Sequence, residues 1–231
     1  MNDQIQALLD KIHVADAREF WKDLPANSVD LIYTDPVYEK IEDYRWLAEL
    51  GTRVLRPNSA CLVHCAIGLL PEVHDALRAG GLTYHWRLVV RHVRSKEFAG
   101  RLLICTKEIL WYEKGNSQPR ESIFDLQDSV RKGSYLVGGK NWGKSVEDTT
   151  LRYVATFSPP GGIVLDPFAG GGAIPQACAM LGRHFLATEI VPEVAARAQS
   201  EIDRIFAFGI ANWPTHQVEN EQCRMEDLEA T

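Results

Sequence analysis

The sequence lacks the cysteine spacing of disulfide-rich and zinc-binding domains. Its 231 residues contain five cysteines, and no two of them form a C-x-x-C pair. An odd number without regular spacing predicts free thiols in a reducing compartment, the cytoplasm. Cys61, His64 and Cys65 are close together in the run SACLVHCAIG, which predicts a buried strand, because free cysteine is mostly buried and no further ligands are nearby. We therefore expect no metal.

Long apolar runs, internal repeats and low-complexity tracts are also missing. No segment approaches the length of a membrane span, and the amphipathic beginning MNDQIQALLDKIH does not resemble a signal peptide. We expect an opening helix there, and a protein without a membrane anchor. Apolar residues make up 45% of the chain, enough for the core of a single domain.

An overall basic character is absent as well, since the net charge is −6. The distribution is uneven, however. Acidic residues concentrate in a tail over residues 216–231, which we expect to be mobile, whereas two internal segments are basic. These segments are either solvated surfaces or candidates for phosphate contacts in nucleic acid. The candidates are Arg91, Arg94, Lys96, Arg131, Lys132 and Lys140.

Short apolar runs alternate with amphipathic stretches along most of the chain. The runs VDLIYT, SACLVHCAI and HFLATEI are typical of buried strands, and IEDYRWLAELGTRVL is typical of a helix. Such alternation predicts a doubly wound α/β sheet. Residues 116–143 are polar, glycine-rich and without periodicity, which indicates a loop or a small insertion.

The most informative stretch is VLDPFAGGG, which ends at Gly172. An apolar run, an aspartate and a glycine cluster predict a strand, a tight turn and the start of a helix. Glycine in such a turn lets the backbone approach a ligand closely. The next apolar run ends at Glu189, where a carboxylate can accept hydrogen bonds from both ribose hydroxyls. The pattern favours a nucleoside cofactor over an ordinary glycine-rich turn.

The residues around this turn narrow the choice of cofactor. A dinucleotide fingerprint requires glycine at its sixth position, where this chain has Pro175. Asp166 precedes the turn, where it would repel a pyrophosphate but suit a positively charged ligand. S-adenosyl-L-methionine, with its amino group and sulfonium, is therefore favoured over a nicotinamide or flavin cofactor.

A second candidate site is the tetrapeptide Asp35-Pro36-Val37-Tyr38, which follows the run VDLIYT. In open α/β sheets, ligands bind beyond the carboxyl ends of the strands. Asp35 and the Pro36 carbonyl can accept hydrogen bonds from the amine of a planar base, on which Tyr38 can stack. Alone, the tetrapeptide is more often an ordinary Asp-Pro turn after a strand.

Together the two motifs resemble those of the DNA amino-methyltransferases, in the circularly permuted arrangement called the beta group. That group has a D-P-P-Y type catalytic motif first and a D-P-F-x-G-x-G cofactor motif later, and this chain has TDPVY and LDPFAGGG in that order. The stretches RVLRPNSACLVHC and LGRHFLATEI are also similar to the family. The resemblance extends from about His13 to about Ile205.

The resemblance implies a class I methyltransferase fold with a seven-stranded, mostly parallel sheet, in one domain over residues 1–215. It implies S-adenosyl-L-methionine as cofactor and duplex DNA as partner, with the target base flipped out of the helix. The implied catalytic residues are Asp35, Pro36 and Tyr38. The implied cofactor-binding residues are Asp16, Ala17, Asp35, Lys144, Asp166, Phe168, Ala169, Gly170, Gly172 and Glu189.

The chain departs from the family at several positions. Val37 replaces the second proline of the catalytic motif, which removes a fixed φ but neither acceptor. Gly171, Ala173 and Ile174 stand where hydroxyl residues are usual, and Ser145 follows Lys144 where proline is usual.

Residues 116–143 lie where the family places its target-recognition region. The segment is short, which predicts a short target sequence, loose specificity or reliance on a second subunit in a homodimer. Adenine N6 is favoured over cytosine N4 as acceptor, because the family's cytosine enzymes more often have serine in place of Asp35. The alternatives are an RNA or small-molecule methyltransferase on the same fold, and a catalytically inactive relative that binds nucleic acid.

Overall fold

The computed structural model describes residues 3–92, 97–99, 102–129, 136–137, 140–141 and 148–208. The strands are β1 Lys11–Val14, β2 Val29–Thr34, β3 Leu55–Cys65, β4 Thr83–His92, β5 Glu97–Ala99, β6 Leu102–Ile104, β7 Thr106–Lys114, β8 Leu126–Ser129, β9 Leu136–Val137, β10 Lys140–Asn141, β11 Ile163–Asp166 and β12 His184–Glu189. The helices are α1 Asp3–Gln6, α2 Ala17–Phe20, α3 Ile41–Val54, α4 Leu70–Ala79, α5 Asp148–Phe157, α6 Ala173–Met180 and α7 Pro192–Phe208, with a 3₁₀ turn at Ile67–Leu69.

Eight of the described strands form the main sheet, in the order β1-β12-β11-β2-β3-β7-β4-β8. Adjacent strands are parallel except where β7 pairs in the antiparallel sense with β3 and β4. Two short hairpins, β5–β6 and β9–β10, are separate from the sheet. The predicted doubly wound, mostly parallel sheet is confirmed.

In the sheet, two strands from late in the sequence lie between two strands from its beginning. β11 and β12 lie between β1 and β2, so the two candidate motifs end neighbouring strands. Leu165 is opposite Ile32, and Val14 is opposite Glu189. Since the carboxyl ends of parallel strands meet at one edge, Asp35, Asp166 and Glu189 lie along the same edge of the sheet.

Helices cover both faces, and each face has its own core. Alternate residues of β2 contribute to opposite faces, Leu31 and Tyr33 to the core beneath α5, α6 and α7, and Ile32 to the core beneath α3 and α4. All six residues of β2 are buried. Burial on both faces explains why the central strands appear in the sequence as continuous apolar runs.

Three details differ from the expectations. The sheet has eight strands rather than seven, because β8 pairs with β4. That extra strand lies inside residues 116–143, part of which therefore belongs to the sheet rather than to a loop. The expected opening helix is a single turn, α1, and the following residues form β1.

The cysteine-histidine run forms part of β3, as predicted, with Cys61 and Cys65 buried. Within the described ranges, no group of three or more metal-ligating side chains is close enough to hold an ion. Among the same residues, no helix combines the length and the apolar character that a membrane span requires.

Candidate active site

Asp166, the last residue of β11, is a carboxylate that is almost completely buried. Its Oδ1 accepts a hydrogen bond of 2.7 Å from the Thr34 hydroxyl and one of 3.3 Å from the Phe168 amide. The pKa of Asp166 is raised to about 7, mainly by burial and to a smaller extent by the charges of Asp35 and Glu189, although the two hydrogen bonds lower it.

No ion pair in the described part of the chain includes Asp166. A buried carboxylate without a cationic partner is destabilised in its ionised form. A ligand that brings a positive charge to this position would remove that penalty. The geometry therefore favours a cationic group next to Asp166.

Glu189 is the last residue of β12, and its carboxylate stabilises the glycine turn by a hydrogen bond. Its Oε2 accepts a hydrogen bond of 2.9 Å from the Gly170 amide, and its Oε1 accepts one of 2.8 Å from the Val191 amide. Each oxygen keeps a further lone pair, so the carboxylate can still accept from a ligand hydroxyl. Gly170 has φ of +50° and no atom within 4 Å of the position a Cβ would take, which leaves open space beside the turn.

Gly172 meets two restrictions at the start of α6. Its φ is +75°, and a Cβ there would lie 2.8 Å from the Cβ of Ala198. Gly171, by contrast, has neither a positive φ nor an atom within 4 Å of its Cβ position. The chain thus needs glycine at one of the two positions for packing and for backbone conformation.

Substitution of these two glycines by alanine is expected to have unequal effects on stability. Gly172→Ala should lower the free energy of unfolding by about 2–4 kcal/mol, from left-handed strain and overpacking against α7. Gly171→Ala should change it by less than about 0.5 kcal/mol. Denaturant titration of both variants checks this, and equal midpoints would contradict the assigned packing.

The Asp35–Tyr38 loop follows directly from β2. Asp35 is exposed, Pro36 is buried, and Tyr38 is half-buried. Val37 is 53% exposed, so its side chain contributes little to the core. The Lys40 amide donates a hydrogen bond of 3.1 Å to the Val37 carbonyl, which closes the loop just before α3.

Thr34 connects this loop with the cofactor-type motif, and the sequence reasoning missed it. It is the residue before Asp35, and its hydroxyl reaches Asp166 across 132 positions of sequence. The sequence signal that could have identified it is a polar residue at the end of the apolar run VDLIYT. Another residue without a predicted role is Ile190, which directly follows Glu189 and is 65% exposed. An exposed apolar side chain there suits the face of a planar base.

Asp16 and Ala17, two of the predicted cofactor-binding residues, lie at the start of α2, which contacts β12. The Ala15 amide donates to the Glu189 carbonyl at 3.2 Å. Asp16 is exposed and caps α2 through its side chain, whereas the Ala17 side chain is buried. Phe168 contacts Trp46 with ring centroids 5.8 Å apart, which places an aromatic pair between the glycine turn and α3.

The predicted phosphate contacts are described only in part. Arg91 is exposed on β4 and forms a bidentate pair with Asp128 of β8, with two hydrogen bonds of 2.7 Å. Lys140 lies in β10. Four other predicted contacts, and the predicted cofactor residue Lys144, lie outside the described residues. The four contacts are Arg94, Lys96, Arg131 and Lys132.

Comparison with known proteins agrees with this architecture. A family model described as DNA methylase matches residues 144–200, about a quarter of the chain, and a search among curated proteins found no match. Several solved structures have the same fold. The M1.HpyAVI–SAM complex has a TM-score of 0.68 and 23% identity, over 84% of this chain and 98% of that one.

Two further structures show the same likeness. The protein TTHA0409 of Thermus thermophilus, complexed with S-adenosyl-L-methionine, has a TM-score of 0.65 and 22% identity, over 84% of this chain and 93% of that one. The cytosine-N4-specific PvuII DNA methyltransferase has a TM-score of 0.70 and 14% identity, over 87% of this chain and 92% of that one. At these identities the structural likeness shows the fold.

Proposed function

We propose that the protein transfers a methyl group from S-adenosyl-L-methionine to an exocyclic amine of a base in DNA, adenine N6 being favoured over cytosine N4. One observation carries the proposal. Asp35 directly follows β2 and Asp166 ends the neighbouring strand β11, and the hydrogen bond from Thr34 to Asp166 joins the two strand ends. An acceptor for an amine and a carboxylate for a cationic cofactor therefore lie side by side.

The residues at the glycine turn fit this cofactor. Asp166 is buried without a cationic partner among the described residues, and a positively charged methionine end would supply one. Glu189 keeps free lone pairs for a ribose, Gly170 leaves space above the turn, and Asp16 is exposed beside Glu189. When bound, the cofactor supplies an electrophilic methyl group on sulfonium sulfur.

The chain itself orients the acceptor amine. Asp35 and the Pro36 carbonyl accept the two N–H hydrogen bonds of the amine, which directs the nitrogen lone pair toward the methyl group. The Tyr38 ring stacks on the face of a flipped base. The new C–N bond would form as the methyl–sulfur bond breaks, which would leave S-adenosyl-L-homocysteine as a neutral thioether. The methylated amine, cationic at first, would release one proton toward Asp35 or water. Proximity and orientation supply most of the acceleration.

The order of the motifs supports the permuted, beta-group arrangement. The TDPVY segment comes early in the sequence and LDPFAGGG comes late, although their strands are neighbours. Matches to DNA methyltransferase structures and the family-model match to the segment around the glycine turn agree with a DNA substrate. The preference for adenine is based on Asp35 alone.

We further assign target recognition to residues 116–143, within one methyltransferase domain over residues 1–215. The part of this segment that forms β8 is fixed to the sheet, which leaves few residues for contact with base edges. A homodimer, which we also propose, would place a second such segment on the DNA. The 216–231 tail lies outside the described residues.

Transfer of labelled methyl from S-adenosyl-L-methionine to unmethylated genomic DNA tests the proposal. Digestion to nucleosides should place the label on N6-methyladenine, whereas label on N4-methylcytosine would correct only the base. If the protein binds the cofactor but labels no DNA, RNA is the next substrate. Failure there and with a Val37→Pro variant would favour the inactive, binding-only relative.

DNA binding can be tested through the Arg91–Asp128 pair. If Arg91 contacts phosphate, Arg91→Ala should weaken duplex binding and reduce the slope of log K against log salt by about one unit. Asp128→Ala removes the competing carboxylate and should strengthen binding. Fluorescence anisotropy at several salt concentrations gives both values, and the same direction of change in both variants would exclude this role.

A further inference from the structure

The segment Asp16–Trp21 contains α2 and lies between the two halves of the candidate site. At its beginning, Asp16 Oδ1 accepts a hydrogen bond of 2.8 Å from the Arg18 amide, which caps α2, and the amide of the preceding residue, Ala15, donates one of 3.2 Å to the Glu189 carbonyl. At its end, the Trp21 indole donates a hydrogen bond of 2.9 Å to Thr188 Oγ1, and that hydroxyl donates one of 2.7 Å to the Pro167 carbonyl. Both ends of the segment are therefore attached to the glycine-turn side of the site.

The Arg18 side chain extends from this segment toward α3. Its guanidinium donates a hydrogen bond of 2.5 Å to Asp43 Oδ1 in the first turn of α3. The Asp43 side chain is 9% exposed and that of Arg18 is 44% exposed, so the carboxylate is buried and the cation partly solvated. A charge-assisted hydrogen bond to a buried carboxylate is stronger than a surface ion pair, and its loss leaves an unpaired buried charge.

Asp43 is in turn joined to the Asp35–Tyr38 loop. Its amide donates a hydrogen bond of 3.0 Å to the Lys40 carbonyl, and the Lys40 amide donates one of 3.1 Å to the Val37 carbonyl. The next residue of α3, Tyr44, donates its hydroxyl to the His64 carbonyl near the end of β3 at 3.2 Å. The start of α3 is thus fixed on one side to β3 and on the other to Arg18.

We propose that Arg18 is a positioning residue for methyl transfer, which holds the Asp35–Tyr38 loop in register with the cofactor side through its ion pair with Asp43. This role rests on the proposed function. In this role Arg18 contacts neither cofactor nor base. It acts through Asp43 and the backbone of the loop. Misplacement of a reacting group by about 1 Å can reduce a rate by about a hundredfold.

The Arg18–Asp43 ion pair can be removed by substitution of either residue. Arg18→Gln and Asp43→Asn are each expected to lower kcat about tenfold, with the cofactor Kd changed less than about threefold. The double variant should be no slower than the slower single variant, because both substitutions remove the same interaction. Lys22→Gln is the matched control, since Lys22 directly follows the segment and pairs with Glu19 of α2, with both side chains exposed. It should leave kcat unchanged.

A second measurement distinguishes positioning from general destabilisation. Hydrogen–deuterium exchange at the amides of residues 37–40 should rise in Arg18→Gln, while the amides of β11 and β12 keep their protection. Unchanged exchange and unchanged kcat would overturn the proposal, as would a uniform rise over the whole sheet. Exchange and cofactor affinity do not depend on turnover, so they test the coupling even if the wild-type protein methylates no DNA.

Discussion

Replacement of Asp35 by alanine is expected to lower the rate of DNA methylation about a thousandfold. The carboxylate lies directly after β2 as an exposed acceptor, and its loss leaves only the Pro36 carbonyl to orient the amine. Cofactor affinity should change by only a few fold, because Asp166 and Glu189 remain in place. Labelled-methyl transfer gives the rate, and isothermal titration calorimetry with S-adenosyl-L-methionine gives the affinity.

Two matched variants sharpen this result. Glu39→Ala removes an exposed carboxylate directly after the loop and should leave the rate unchanged. Asp35→Asn keeps one oxygen acceptor and should retain more activity than the alanine variant. If the alanine variant methylates at the wild-type rate, the amine is held elsewhere and the assignment of the loop fails.

Cofactor binding is expected to weaken as the pH falls from 7.5 to 5.5, by up to about tenfold per pH unit. Burial raises the pKa of Asp166 to about 7, so the carboxylate is increasingly protonated below that pH and cannot pair with a cationic ligand. Asp166→Asn should bind about tenfold to a hundredfold more weakly at pH 7.5 and lose most of the pH dependence. Calorimetry across this range measures both effects.

Asp166 also makes the stability of the cofactor-free protein depend on pH, but in the opposite direction to cofactor binding. Between pH 4 and 7 the folded state retains a proton on Asp166 that the unfolded state has released, so stability falls as the pH rises. Asp166→Asn should therefore reduce the loss of stability across this range. Glu193→Gln, which alters an exposed carboxylate at the start of α7, is the control. Equal pH profiles of all three proteins would contradict the perturbed pKa of Asp166.

Local patterns made much of the fold predictable. The strand–turn–helix at the glycine cluster depends on neighbours in sequence, and β2 and β12 are apolar runs that end in acidic or polar residues. β1 was missed because it has four residues and only Ile12 is buried among them. β8 was missed because its pattern is inverted: Leu126 is 48% exposed while Gln127 is buried, with its oxygen bonded to Arg152.

The site was predictable as two motifs but not as one assembly. The contact between Thr34 and Asp166 depends on the strand order, which no short pattern specifies. The contact between Arg18 and Asp43 was likewise not predictable, because Arg18 is a charged residue in a one-turn helix without a periodic pattern. The pairing of Arg91 with Asp128 also needed the position of β8. Residues that act through distant partners require the assembled sheet.

The position of β11 and β12 has a consequence for biosynthesis. Among the described strands, β1 lies at the edge of the sheet and pairs with β12 alone, so this partner is missing until residues 184–189 leave the ribosome. β2 likewise lacks β11 on one side for more than a hundred residues of translation. Unpaired apolar strand edges attract other chains. The nascent chain should therefore depend on chaperones until its last third has been made, and truncation before β12 should give an aggregating product.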